Sequence, residues 1–65
     1  MNENLRLKCK ETKMFFNVPY KQIAEKLDIK ISSFYSWLRG NYNLSFQKQK
    51  QLFEILENIR TKGTI

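Results

Sequence analysis

The stretch PYKQIAEKLDIKISSFYSWLRG, residues 19–40, has the pattern of two short amphipathic helices joined by a tight turn. In its first half, Ile23 and Leu27 lie four residues apart, so on a helix they share one face and reach a core together. In its second half, apolar residues follow an i, i+3, i+6, i+7 spacing that lines one side of a second helix: Ile31, Phe34, Trp37 and Leu38. The stretch therefore predicts a helical hairpin with two apolar faces turned to a common core.

The residues at the helix ends indicate where the two helices begin and stop. We expect the first helix over residues 19–27 and the second over residues 31–39. Asp28 stands where the chain needs a left-handed residue, a conformation that Asp tolerates better than most residues other than glycine. Gly40 ends the second helix. The polar segment 41–44 is predicted to be a loop because it is rich in turn-forming residues.

One further helix is predicted on each side of this hairpin. A first helix is expected over residues 5–16, where apolar or small residues recur at helical spacing. Ser45 is a good N-cap for a final helix that runs to about Arg60. The residues expected to face the core are Leu5, Cys9, Thr12 and Phe16 in the first of these helices and Leu52, Ile55, Leu56 and Ile59 in the last.

The length of the chain, 65 residues, is enough for one domain, residues 1–65. We expect an all-α fold, a compact bundle of four to five helices with an ordered core over about residues 4–60. Both ends, Met1–Asn4 and Thr61–Ile65, are predicted to be flexible. No apolar run is long enough for a membrane span or a signal peptide core, so we expect a soluble protein of the cytoplasm.

Catalytic and metal-binding residues are scarce in this sequence. It has no His, and its one Cys leaves no partner for an internal disulfide or a cysteine-based metal cluster. Cys9 lies on the apolar side of the first predicted helix, so we expect a buried and unreactive thiol. There is also no Gly-rich phosphate loop and no pair of carboxylates on a common face. We therefore expect no enzyme activity, no metal and no cofactor.

The charge of the chain is strongly positive, with a formal net charge of +6. Its distribution is uneven, because no Asp or Glu occurs between Asp28 and Glu54. A basic surface around the second half of the hairpin predicts a polyanionic partner. The plainer alternative is a solvated cationic surface that aids solubility. The basic residues in the acid-free segment are Lys30, Arg39, Lys48 and Lys50.

The hairpin resembles the helix-turn-helix of the phage Cro and repressor family. The resemblance lies in the positions where that family places apolar or small residues, occupied here by Ile23, Ala24, Leu27, Ile29, Phe34 and Trp37. Asp28 stands where the family usually has glycine. The resemblance covers about residues 4–59 and implies a lambda-repressor-like domain. It also implies sequence-specific binding of double-stranded DNA by a small transcriptional regulator that acts by occupying an operator.

The resemblance further implies which residues meet DNA. The second hairpin helix would read bases with its outward side, and hydroxyl and aromatic side chains suit that role. The base-reading candidates are Ile31, Ser32, Tyr35 and Ser36. The phosphate-contact candidates are Tyr20, Lys21, Lys30, Ser33, Arg39, Asn41, Tyr42, Asn43 and Lys48. Two plainer interpretations stay open. Tyr20 and Lys21 could be ordinary exposed residues, and the outward side of the second helix could be only the polar face of a packed helix.

Phe46 and Phe53 lie seven residues apart, on one line of the final helix and away from its buried side. They predict either a wider core or a dimer contact, which a protein that reads two half-sites would need. We expect double-stranded DNA as the partner, together with a second copy or a regulatory protein. The alternative function is a protein-interaction module or inhibitor from a phage or mobile element on the same fold. An antitoxin-like DNA-binding partner is a close variant.

Overall fold

Four helices with short connections account for most of the chain in a computed structural model that describes residues 1–63. They are α1 (Asn2–Phe16), α2 (Tyr20–Leu27), α3 (Ile31–Leu38) and α4 (Phe46–Lys62). No β-strand occurs in these 63 residues, and the Cα radius of gyration is 10.6 Å. The predicted compact all-α class is confirmed, with four helices.

Two non-glycine residues with positive φ turn the chain at the ends of α1 and α2. Asn17 has φ 55° and ψ 41°, and Asp28 has φ 61° and ψ 46°. After α2, the N–H of Asp28 donates to the carbonyl of Glu25, and that of Ile29 donates to the carbonyl of Ala24, each at 3.1 Å. These bonds satisfy carbonyls that the helix end would leave unpaired. The left-handed conformation predicted for Asp28 is confirmed.

The core lies where α4 packs against α1 and α2 and where α3 packs against α2, and each helix contributes to it. Phe34 and Trp37 of α3 are both 0% exposed. Their ring centroids lie 5.6 Å apart, so the two aromatic side chains form one packed unit at the centre. The remaining buried apolar residues are Leu5, Cys9, Val18, Ile23, Ala24, Leu27, Leu44, Leu52, Leu56 and Ile59. The predicted hairpin buries most of both apolar faces, but the expectation is wrong for Ile31, which is 36% exposed at the first turn of α3, and Leu38 is only partly buried.

The start Met1–Asn4, expected to be frayed, contains the beginning of α1, which starts at Asn2 rather than at Leu5. The side-chain oxygen of Asn2 accepts two hydrogen bonds that hold this end of the helix. The indole Nε1–H of Trp37 donates at 2.8 Å, and the backbone N–H of Leu44 donates at 2.9 Å. Both donors belong to buried residues, so Asn2 satisfies polar groups that water does not reach.

The other helix ends differ from the predictions by one or two residues. Pro19 is the N-cap of α2 rather than its first residue, and Arg39 is the C-cap of α3. Helix α4 continues past Arg60 to Lys62 and ends at Gly63, whose φ is 76°. Thr61 and Lys62 are therefore helical, and the remainder of the predicted flexible tail, residues 64–65, lies outside the described residues. Over residues 1–63, no helix has the length and apolar character needed to cross a membrane.

Candidate nucleic-acid interface

The outward side of α3 carries the predicted base-reading residues above the buried pair Phe34 and Trp37. The spacing of about 100° per residue places the four candidates on one arc of the helix. Tyr35 is 43% exposed and Ile31 lies at the first position of α3, also exposed. Ser32 is exposed and Ser36 is half-buried. The structure therefore brings a phenol, two hydroxyls and one branched apolar side chain to the same side of α3.

Cations border this arc at both ends of α3. Lys30 is exposed and is the N-cap residue, with an extended backbone at φ −68° and ψ 146°. Arg39 is exposed and is the C-cap residue. Lys21, in the first turn of α2, is exposed as well. These three basic residues are free of ion pairs within residues 1–63, so their charge is available to an anionic partner.

Tyr20, the first residue of α2, packs against α3 and is not an ordinary exposed side chain. Its ring centroid lies 5.7 Å from that of Phe34 and 5.9 Å from that of Tyr35. The ammonium of Lys13 on α1 lies 5.1 Å from the centre of the Tyr20 ring. Burial raises the pKa of the Tyr20 hydroxyl, and the neighbouring Cys9 and Tyr35 raise it further. Tyr20 is therefore a neutral, half-buried ring at neutral pH.

Two hydrogen bonds tie the loop after α3 back onto that helix, and a third ties it to Arg6 of α1. The hydroxyl of Tyr42 donates to the carbonyl of Ser33 at 3.0 Å, and the N–H of Asn41 donates to the carbonyl of Ser36 at 3.0 Å. The side-chain oxygen of Asn43 accepts from Arg6 Nη2 at 3.2 Å. Because a guanidinium only donates, the amide nitrogen of Asn43 is the end left for another acceptor. Hydrogen bonds to α3 and α1 thus hold the loop that contains Asn41, Tyr42 and Asn43.

Arg6 of α1 organises this loop, and the sequence analysis did not identify it. Its Nη2 also donates to the carbonyl of Tyr42 at 2.8 Å, and its Nε donates to the carbonyl of Trp37 at 2.5 Å. The guanidinium carbon lies 5.2 Å from the centre of the Trp37 ring. A cation at this position also complements the negative end of α3. No local sequence pattern indicates this role of Arg6, because Arg6 and its hydrogen-bond acceptors are 31 to 37 residues apart.

Lys48 has structural contacts that bear on its predicted contact with phosphate. Its backbone N–H donates to Ser45 Oγ at 3.2 Å, which confirms Ser45 as the N-cap of α4. Its ammonium donates to the carbonyl of Leu27 at 2.7 Å, at the C-terminal end of α2. A phosphate bound by Lys48 would have to share that ammonium with Leu27.

Phe46 and Phe53 form an exposed aromatic strip along α4, which we call the phenylalanine flank and define by these two residues. Phe46 is 73% exposed and Phe53 is 39% exposed, so the wider-core interpretation is wrong. The ammonium of Lys8 lies 4.9 Å from the centre of the Phe53 ring. Phe15 is also exposed and lines a groove of about 400 Å³ between α1 and α4. The flank is a surface feature rather than part of the core.

Cys9 has the environment expected of an unreactive thiol. It is fully buried, and burial raises the pKa of its thiol from 9.0 to about 12. The thiolate, which is the reactive form, is therefore scarce at neutral pH.

Comparison with known proteins identified no relative of this chain. No protein family, no curated protein and no solved structure matches the chain.

Proposed function

We propose that the protein binds double-stranded DNA sequence-specifically through a helix-turn-helix made of α2 and α3. In this proposal α3 is the recognition helix, and the domain is a small transcriptional regulator of the lambda-repressor-like kind. It acts in the cytoplasm by occupying an operator. The observation that carries the proposal is the outward arc of α3, which presents Tyr35, Ser32 and Ser36 beside free cations.

The packing of the hairpin supports this role because it holds α3 rigidly with its polar side outward. Phe34 and Trp37 anchor the inner side of the helix in the core. Arg6 and Tyr42 fasten its C-terminal end and the loop that follows. A recognition helix needs such support, since base contacts require side chains at fixed positions along a groove.

The distribution of charge supports a polyanionic partner over a neutral one. The acid-free segment between Asp28 and Glu54 covers all of α3, the loop after it and the first half of α4. No carboxylate within this segment therefore repels phosphate. Lys30 and Arg39 lie at the two ends of α3, and in this proposal each contacts a backbone phosphate.

The first test is selection of bound duplexes from a random pool, followed by affinity measurements on the selected site. We expect a preferred site, and log K should fall with log salt by about 0.9 for each phosphate neutralised. A protein that enriches no duplex, or whose duplex binding ignores salt, refutes the proposal.

Substitutions then separate base contacts from phosphate contacts. Ser36→Ala should change the preferred site, with a loss of about 1 kcal/mol on the parent site and less on others. Arg39→Ala should weaken binding to all duplexes alike and reduce the salt slope by about 0.9. Arg60→Ala is a matched control, because Arg60 lies on the groove shared with Phe15. It should leave both the preference and the slope unchanged.

A second candidate function is protein binding through the phenylalanine flank. The observation in its favour is the exposure of Phe46 and Phe53 on one side of α4, which suits a contact surface. As part of the DNA-binding proposal, the same flank would join two copies so that two half-sites are read. A regulatory protein that binds the flank is the alternative. A preferred site without two-fold symmetry would favour that alternative over a homodimer.

A further inference from the structure

Tyr20 lies at the point where α1, α2 and α3 meet, and its ring is held from three directions. Lys13 of α1 lies over the ring, with its ammonium 5.1 Å from the ring centre. The buried ring of Phe34 lies on the core side, at a centroid distance of 5.7 Å. The third neighbour is Tyr35, at 5.9 Å and with an interplanar angle of 87°. Tyr20 is thus fixed to the core on one side and in contact with an exposed residue of α3 on another.

The contact between the two tyrosines has a defined geometry. An edge-to-face arrangement at this distance is the favourable one for aromatic rings. Tyr35 is 43% exposed, and no hydrogen bond from its hydroxyl is present within residues 1–63 to hold its ring. The ring of Tyr20 therefore restricts the rotamers that Tyr35 adopts. An aromatic pair of this kind favours one rotamer by roughly two- to tenfold.

We propose that Tyr20 is a positioning residue for Tyr35 and acts on sequence preference through it rather than by contacting phosphate. The inference depends on the proposed DNA-binding function, since it assigns a role within the same reading surface. It also replaces the phosphate contact that was expected for Tyr20 because of its position at the start of α2. A residue there that faced solvent would suit a phosphate contact, but the ring of Tyr20 faces two rings of α3.

Two substitutions separate positioning from phosphate contact. Tyr20→Phe keeps the ring and removes the hydroxyl, so affinity for all duplexes should stay within about twofold of the parent. Tyr20→Leu keeps apolar cover over Phe34 and removes the ring edge beside Tyr35. The preference at the base pairs read by Tyr35 should then fall by roughly two- to tenfold, with an unchanged salt slope. A uniform loss for Tyr20→Phe, with a slope reduced by about 0.9, would identify a phosphate contact and overturn the inference.

A double-mutant cycle tests whether Tyr20 acts through Tyr35. Tyr35→Ala alone should remove the preference at those base pairs, and adding Tyr20→Leu should then have no further effect on it. Additive losses would show that Tyr20 acts independently and would overturn the inference. Circular dichroism of each variant establishes that it is folded before binding is compared.

A measurement on the free protein tests the positioning role of Tyr20 separately from the DNA-binding function. In the parent, NMR should show cross-peaks between the Tyr20 and Tyr35 rings and one dominant χ1 rotamer for Tyr35. The absence of these cross-peaks, or averaged couplings for Tyr35, overturns the positioning role whether or not DNA binds. Ordered rings in a parent that enriches no duplex would instead refute the DNA-binding proposal, and the role in base reading would be refuted with it.

Discussion

Asn2 offers a sharp test of how the fold is held, because a residue next to the chain start is usually tolerant of change. Its side-chain oxygen is the acceptor for Trp37 Nε1–H and for the backbone N–H of Leu44. Trp37 is fully buried and Leu44 is 6% exposed, so Asn2→Ala leaves both donors without a partner and with little access to water. An unpaired buried donor costs about 1–3 kcal/mol, so we expect a total loss of about 2–6 kcal/mol for the two donors.

That loss is large for a domain of this size. At roughly 0.05–0.15 kcal/mol per residue, the total free energy of unfolding is about 3–10 kcal/mol. A change of 1 kcal/mol shifts the Tm of a small domain by about 4–8 °C, so Asn2→Ala should lower the Tm by at least about 8 °C. Thermal and urea unfolding, followed by circular dichroism and by the fluorescence of Trp37, measure the effect directly.

Two control variants make the interpretation specific. Asn4→Ala changes an exposed asparagine of the same helix and should be neutral or slightly stabilising, because alanine is the better helix former. Asn2→Asp keeps an acceptor oxygen near the helix start and should retain most of the stability. The reasoning is refuted if Asn2→Ala unfolds within about 0.5 kcal/mol of Asn4→Ala, or if Asn2→Asp is as unstable as Asn2→Ala.

Three further outcomes follow from the other contacts. Because the folded protein holds the Cys9 proton more tightly than the unfolded chain, stability should fall by about 1.4 kcal/mol per pH unit as pH rises from 9.0 towards 12. Urea unfolding of Cys9→Ala should lack this component, and equal slopes for the two proteins would contradict it. Lys48→Gln should cost about 1–2 kcal/mol through the lost bond to the Leu27 carbonyl. The exposed control Lys50→Gln should be neutral in the same urea titration, and matching losses would show that the bond to Leu27 contributes nothing. If the phenylalanine flank joins two copies, Phe53→Glu should sediment at half the mass of the parent, and an unchanged mass removes it as the dimer contact.

Much of the fold could be predicted from periodicity, because apolar spacing reports which face of each helix is buried. Phe34 and Trp37 are inside and Tyr35 is outside, as their positions on one helix require. The left-handed Asp28 was also predictable, because a three-residue connection leaves few backbone conformations. These features depend on neighbours within a few residues, which a sequence displays directly.

The polar contacts that hold the candidate site together were not predictable in this way. Asn2 meets Trp37 and Leu44 across 35 and 42 residues, and Arg6 meets the loop after α3 across 36. From the sequence, Tyr20 could be an exposed side chain at the start of a helix, and only the packing of α3 beside α2 shows its contact with Tyr35. Periodicity assigns a residue to a face but does not say which polar group of another helix comes to lie opposite. Hydrogen bonds need partners within about 3 Å, and that distance is set only once all four helices have packed.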